Sequence, residues 1–420
     1  MKLVKVSLLN GLAVIARVGS SVALNKILAI YLGPSGYAII GQFQNIISVL
    51  TSLSAGVITS GVIKKTAEHY DKGVRQHDLW RTAIKICLIS SILISIFLLL
   101  SANWITVKLL HSEEYYFVFI IFAFILPLIS INNIVLAVIN GKKEIGILAA
   151  SSIITSILNL IFIGMLSYLY SMTGTFIGII ISPAIGIFFT VYLLRNKKWF
   201  NYKYFIGRLD INAVKDLSLF GLMGIITALC APTSYIIIRD YLIKEVGLQA
   251  AGYWQAIWKI SELYLLLITS TLSAYYLPRL AEIRKSNELK DEIFKVLKFV
   301  MPITIFSSVL IYLTRDYIIK ILFTDEFMPM RNLFIWQLIG DVIKIAAWVL
   351  SYVMLGRAMV KSYVYTEIIF SAIFVILTII LVEKYGLAGV TIAYMLNYFL
   401  YLIVMFYIIK NELQKMKVDV

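Results

Sequence analysis

The sequence predicts an all-α polytopic membrane protein with twelve transmembrane helices. Three observations carry that expectation. Apolar runs recur along the whole chain, 60% of residues are hydrophobic against 15% charged, and the stretches between the runs are alternately rich and poor in Lys and Arg. A helix needs roughly 20 apolar residues to cross the hydrocarbon layer. Stretches that reach or approach this length lie at 8–30, 38–62, 83–104, 116–139, 146–168 and 174–194, then at 217–238, 250–274, 296–314, 332–355, 362–382 and 387–409. With twelve spans placed, no sizeable soluble domain remains.

The charge pattern orients these spans. One side takes the N-terminus, 64–85, 142–143, 195–215, 279–298, 357–361 and the C-terminus. Leaving Lys85 with its span, that side holds 26 of the 38 Lys and Arg residues, and the other side holds 7. Positive charge is retained in the cytoplasm, so both termini are expected there. The net charge of +15 is spread over loops and not gathered on one surface. It reads as topology and contact with anionic lipid, and not as nucleic-acid binding. The basic, then apolar, opening is similar to a secretory signal, but Arg17 interrupts it and no small-x-small cleavage site follows, so it is kept as the first helix.

Catalytic chemistry is sparse. His69, His77 and His111 fall in expected loops without ligand spacing, and Cys87 and Cys230 fall in spans, so neither a metal site nor a disulfide framework is expected. The Gly-Lys pair at Gly141 lacks the rest of a phosphate-binding loop, and GxSxG is absent. No cofactor is expected, and transport is favoured over reaction. A membrane glycan polymerase or acyltransferase is the enzyme-class rival, but the longest outward loop, 315–331, carries no His.

A weak internal repeat divides the spans into halves. Ser35-Gly36-Tyr37 recurs as Ala251-Gly252-Tyr253, Lys65–Glu68 as Arg279–Glu282, Gly141-Lys142 as Gly356-Arg357, and Gly174 as Gly389, all at offsets of 214 to 216. The expected organisation is an N-terminal lobe at 1–195, a basic cytoplasmic linker at 196–215 and a C-terminal lobe at 216–420. Six spans per half make the lobes pseudo-symmetric six-helix bundles in parallel orientation. Such bundles enclose a central cavity and expose it to each side in turn by rocking.

Polar residues inside spans are the site candidates, because a mid-bilayer charge costs roughly 2.5–3.5 kcal/mol. In the first span Arg17 and Ser21 share a face and Lys26 points away, near enough to the span's end to snorkel. Gln255, Lys259 and Glu262 line one stripe of the eighth span, and Gln337, Asp341 and Lys344 one of the tenth. Lys259 with Glu262, and Asp341 with Lys344, are spaced either as i,i+3 ion pairs or as cavity-lining charges. Carboxylates within spans occur only in the second half, at Glu262, Asp341 and Glu367, so ion coupling is expected there. The first half offers neutral groups, among them Gln42, Asn45, Asn132 and Asn159. Cations beside rows of amides and hydroxyls suit an anionic ligand rich in hydroxyls, such as a phosphorylated or acidic glycan.

The residues Tyr276 to Leu280 (YLPRL), Val296 to Pro302 (VLKFVMP), Leu313 to Asp316 (LTRD) and above all Met330 to Lys344 (MRNLFIWQLIGDVIK) resemble the Wzx-type flippases of lipid-linked oligosaccharides. The likeness is greatest to O-antigen and enterobacterial-common-antigen (WzxE-like) members, within the multidrug/oligosaccharidyl-lipid/polysaccharide exporter superfamily. Lys26 to Ala29 (KILA) and Gly33 to Gly36 (GPSG) extend it to the start of the chain. The resemblance implies a bacterial inner membrane and outward movement of an undecaprenyl-pyrophosphate-linked repeat unit. It also implies cationic residues for the pyrophosphate, at Arg17 and Lys259 with Lys344 as a further candidate. A polysaccharide polymerase and a chain-length regulator are candidate partners. A multidrug exporter of the same fold is the alternative; its organic cations would suit the acidic second half and not Arg17.

Overall fold

A computed structural model of the chain describes residues 2–69 and 73–418. Among them there is no strand. Thirteen α-helices follow one another: α1 (Lys2–Thr51), α2 (Val57–Glu68), α3 (Gly73–Ile105), α4 (Tyr116–Gly141), α5 (Ile145–Leu194), α6 (Ile211–Glu245), α7 (Leu248–Thr271), α8 (Leu277–Glu282), α9 (Ser286–Leu313), α10 (Arg315–Leu322), α11 (Phe334–Gly356), α12 (Val360–Tyr385) and α13 (Ala388–Val418). Nine helical stretches among the described residues are long and apolar enough to cross a membrane; the first, Gly11–Glu68, runs through α1, a π-helical turn at Ser52–Gly56 and α2.

Two of these stretches contain a break. In α1 the backbone leaves the helix at Gly33 (φ 59°, ψ −172°). Only a residue without a Cβ adopts that conformation at little cost, and Pro34, with its fixed φ, restarts the helix. In α5 the break is at Tyr170 and Ser171. There the chain doubles back, because a Cβ on Gly178 would lie 2.8 Å from the Ile163 Cα and one on Gly174 would lie 1.9 Å from the Leu166 carbonyl oxygen.

The offset seen in the sequence recurs in the backbone. Positive φ falls at Gly33 and Gly247, at Lys143 and Ala358, and at Ser171 and Gly386. The tight contact of Gly174 on Leu166 has its counterpart in Gly389 on Leu381. A π-helical turn at Leu272–Tyr276 precedes α8, as the one at Ser52–Gly56 precedes α2. The breaks in α1 and α5 thus each have an equivalent in the second half, whereas the left-handed His111 (φ 55°) has none among the described residues.

By its internal contacts the chain forms two compact units, Met1–Leu32 with Ile39–Ile236, and Gly33–Ala38 with Ile237–Val420. This division differs from the expected boundaries in two places. The basic stretch after α5 packs into the first unit, where Trp199, Tyr204 and Phe205 lie against the cluster around Trp80, Leu79 and Ala137. The six residues at the break in α1 pack within the second unit, where Tyr37 is buried edge-on to Phe323 (5.5 Å) and Phe327 (5.8 Å). Gly252 admits the backbone of Pro34, since a Cβ there would meet its carbonyl oxygen at 1.9 Å. Tyr253 also reaches Phe327, at 6.2 Å, so the two repeated Gly-Tyr motifs meet at one ring.

His77 is helical, not in a loop: it lies in the first turns of α3, before the span at 83–104. Its ring stacks on Tyr204 at 3.8 Å and 10°. Burial pushes its pKa down, the nearby Arg81 and Lys142 charges push the same way, and Asp78 opposes them. The unfolded chain therefore binds a proton more readily than the folded one, and stability falls as pH drops from about 6.5 through the folded-state value. Thermal unfolding at pH 7.5 and pH 5 should show a loss in the wild-type chain that His77→Gln reduces. Equal losses in the two chains would rule out His77 as the cause.

Candidate functional site

A polar cluster of the second unit forms where α7, α11 and α13 meet. Asp341 of α11 is fully buried. Ser261 Oγ (2.6 Å) and Tyr264 OH (2.9 Å) of α7 donate to its Oδ2, and Tyr394 OH (2.8 Å) of α13 donates to its Oδ1. Gln337, one turn earlier on α11, donates to Ser261 Oγ at 3.1 Å. A buried carboxylate is tolerated when hydroxyls replace the water it loses, and hydrogen bonds to a charged acceptor are the stronger kind.

Lys344 is also buried, and among the described residues no ion-pair contact of 4 Å or less joins it to Asp341. Its ammonium lies 4.6 Å from the ring centre of Trp348, 5.2 Å from Trp258, 5.4 Å from Tyr398 and 5.6 Å from Tyr394. Four aromatic faces thus offset its desolvation. Tyr394 serves both groups, giving its hydroxyl to Asp341 and its ring to Lys344. The other i,i+3 pair is present: Lys259 Nζ lies 2.8 Å from Glu262 Oε2, with side chains 26% and 52% exposed. Trp258 Nε1 donates to the same carboxylate at 3.3 Å. From Lys259 through Glu262, Trp258, Lys344 and Tyr394 to Asp341, charges and rings alternate without a gap. Glu367 is apart on α12, half-buried, with no hydrogen bond or ion pair to the described residues.

Arg239 is the residue that sequence reasoning missed. Counted there with the outward stretches, it is 2% exposed in α6, donates to Gln255 Oε1, and lies 5.2 Å from the Trp254 ring. The available signal was Tyr241-Leu242-Ile243, which continues the apolar pattern past the Arg and keeps the helix running to Glu245.

In the first unit the candidates are dispersed. Arg17 is exposed on α1, and Lys26 is half-buried. Gln42 is buried and donates to the Ile236 carbonyl at 3.3 Å. Asn45 and Asn159 are half-buried. Asn132 is buried, and its Oδ1 accepts no hydrogen bond from the described residues.

Long paired-break helices and a buried charge network define an integral membrane protein with a transporter fold. The chain superposes on the inward-facing conformation of a multidrug resistance MATE family transporter of the MOP superfamily with a TM-score of 0.77, at 17% identity, covering 96% of this chain and 99% of the other. The outward-facing conformation of such a transporter gives a TM-score of 0.74, at 17% identity and 98% and 96% coverage. Residues 27–332 match the polysaccharide biosynthesis protein family, and the chain belongs to it. It is 29% identical over 406 residues, 96% of each chain, to the lipid III flippase of Escherichia coli (strain K12), and equally so to that of Shigella flexneri.

Proposed function

We propose that the chain is a flippase, not an enzyme, which moves an undecaprenyl-pyrophosphate-linked oligosaccharide, an O-antigen or related repeat unit, from the cytoplasmic to the periplasmic leaflet. The observation that carries this reading is the end-to-end likeness to proteins named as lipid III flippases. The breaks in α1 and α5 and the 24-residue helix α7 support twelve spans in two six-helix bundles about a central cavity worked by alternating access. The loop charges support a bacterial inner membrane with both termini cytoplasmic.

The pyrophosphate diester brings about two negative charges, which need cations in a dry site. Arg17, Lys259, Lys344 and Lys26 are the candidates. Lys259 would exchange Glu262 for a phosphate oxygen. Gln42, Asn45, Asn132, Asn159, Gln255 and Gln337 would serve the sugars, and Glu262, Asp341 and Glu367 would take up the coupling ion. A polymerase and a chain-length regulator are the expected partners. The multidrug exporter reading rests on the shared fold and calls for organic-cation efflux.

Complementation in a strain lacking its own flippase tests the proposal. The wild-type chain should restore surface glycan, while Arg17→Ala, Lys259→Ala and Lys344→Ala, at equal membrane levels, should each lower it at least ten-fold. Drug resistance without restored glycan would support the exporter instead. Full activity of all three variants would remove the pyrophosphate site from these cations.

A further inference from the structure

We propose that residues 195–211, between α5 and α6, form a binding arm for the headgroups of anionic phospholipids. The leaflet it faces follows from the orientation proposed above; the binding itself does not depend on it.

The inner face of the arm is fixed to the protein. Trp199, Tyr204 and Phe205 pack on the cluster around Trp80, and Phe200 packs on Val135 and Ile139. Lys197 Nζ (2.8 Å) and Trp199 Nε1 (3.2 Å) both donate to Glu144. Asn201 Oδ1 accepts from Lys203 N at 3.0 Å, and Asp210 N donates to Thr82 Oγ1 at 3.0 Å.

The outer face has two kinds of side chain. Tyr202, Ile206, Leu209 and Ile211 are 66%, 70%, 44% and 73% exposed. Arg195, Lys198, Lys203 and Arg208 are exposed among them. Among the described residues none of these four cations is in an ion pair: Glu144 is taken by Lys197, and Asp210, which accepts from Ala213 N at 2.7 Å, leaves the segment with a net positive charge. Single exposed apolar residues are ordinary, but four held outward on an ordered segment of net positive charge match the boundary between headgroups and acyl chains. Nucleic acid would use the cations and leave Ile206 and Ile211 in water. Position selects lipid as well: the arm begins at Arg195, directly after the membrane-crossing stretch Ile145–Leu194, with the guanidinium 3.9 Å over the Tyr192 ring.

The test uses the full-length chain with Cys87→Ala and Cys230→Ala, carrying a fluorophore at Tyr202→Cys or, as a second site, at Ile206→Cys. It is reconstituted into phosphatidylcholine vesicles containing brominated phosphatidylglycerol or brominated phosphatidylcholine at equal mole fraction. The brominated anionic lipid should quench more strongly, and Lys198→Gln, Lys203→Gln and Arg208→Gln should lower that preference roughly five-fold for each cation removed. On the chain with its native cysteines, adding phosphatidylglycerol to phosphatidylcholine should raise the unfolding temperature, and the triple glutamine variant should lose that rise. Absence of quenching by either lipid, or equal quenching by both, would overturn the proposal. Loss of quenching when a soluble cytoplasmic extract is added would also overturn it, by assigning the arm to a protein partner.

Discussion

Asp341→Ala should destabilise the second unit by about 3 kcal/mol or more and abolish transport. The carboxylate accepts three hydroxyl hydrogen bonds in a site closed to water, and each buried donor left without an acceptor costs about 1–3 kcal/mol. Tyr264 has partial recourse in Ser308 at 3.2 Å, whereas Ser261, which already accepts from Gln337 Nε2 at 3.1 Å, loses the acceptor of its own proton, and Tyr394, one wall of the Lys344 box, loses its bond to Asp341. Asp341→Asn keeps one carbonyl acceptor and should cost about half as much. Thermal unfolding in detergent measures the first effect and surface glycan the second. An unchanged unfolding temperature for the alanine variant would mean that the hydroxyls do not hold the site together. An asparagine variant that folds like wild type yet fails in transport would isolate the need for the negative charge.

Gly252→Val should cost about 3 kcal/mol or prevent folding. The Cβ would stand 1.9 Å from the carbonyl oxygen and 2.6 Å from the carbonyl carbon of Pro34, where backbone and not a flexible side chain must give way. Gly19→Val is the matched control: nothing lies within 4 Å of its added Cβ. Yield and unfolding temperature should fall sharply for the first variant and change little for the second. If both behave alike, the approach of α7 to the turn after Gly33 is not a fixed feature of the fold.

Hydropathy made the helices legible, because lipid demands long apolar runs whatever their partners. The break in α5 lies inside the gap between the apolar runs ending at 168 and starting at 174, although its residues, Tyr170 and Ser171, include neither Gly nor Pro. The spacing of Lys259 and Glu262 revealed their ion pair because both lie on one helix. For Asp341 and Lys344 the same spacing left ion pair and separate roles open, and their neighbours decide it: Ser261, Tyr264 and Tyr394 around the carboxylate, Trp258, Trp348, Tyr394 and Tyr398 around the ammonium. All but Trp348 stand on α7 and α13, and nothing local shows that Ser261, Tyr264 and Tyr394 converge on one carboxylate. Arg239 was lost for a related reason: a charge at the end of an apolar run marks a membrane boundary unless the helix continues past it. The docking of the arm was equally hidden, since nothing in the local sequence places Trp199 beside Trp80 or Tyr204 beside His77.

Residues 33–38 add a constraint of order in time. Tyr37 leaves the ribosome while Phe323 and Phe327 are still unmade, so the turn that completes the second unit is synthesised among the earliest parts of the chain and has to wait for its aromatic neighbours. A nascent chain halted before residue 323 holds that tyrosine without Phe323 and Phe327. Two separately encoded halves divided at the basic stretch would leave the second without Tyr37 and Pro34, the residues that fill the space beside Phe327 and Gly252. The second unit is in this sense not encoded by the second half of the sequence alone: six of its residues come from the beginning of the chain.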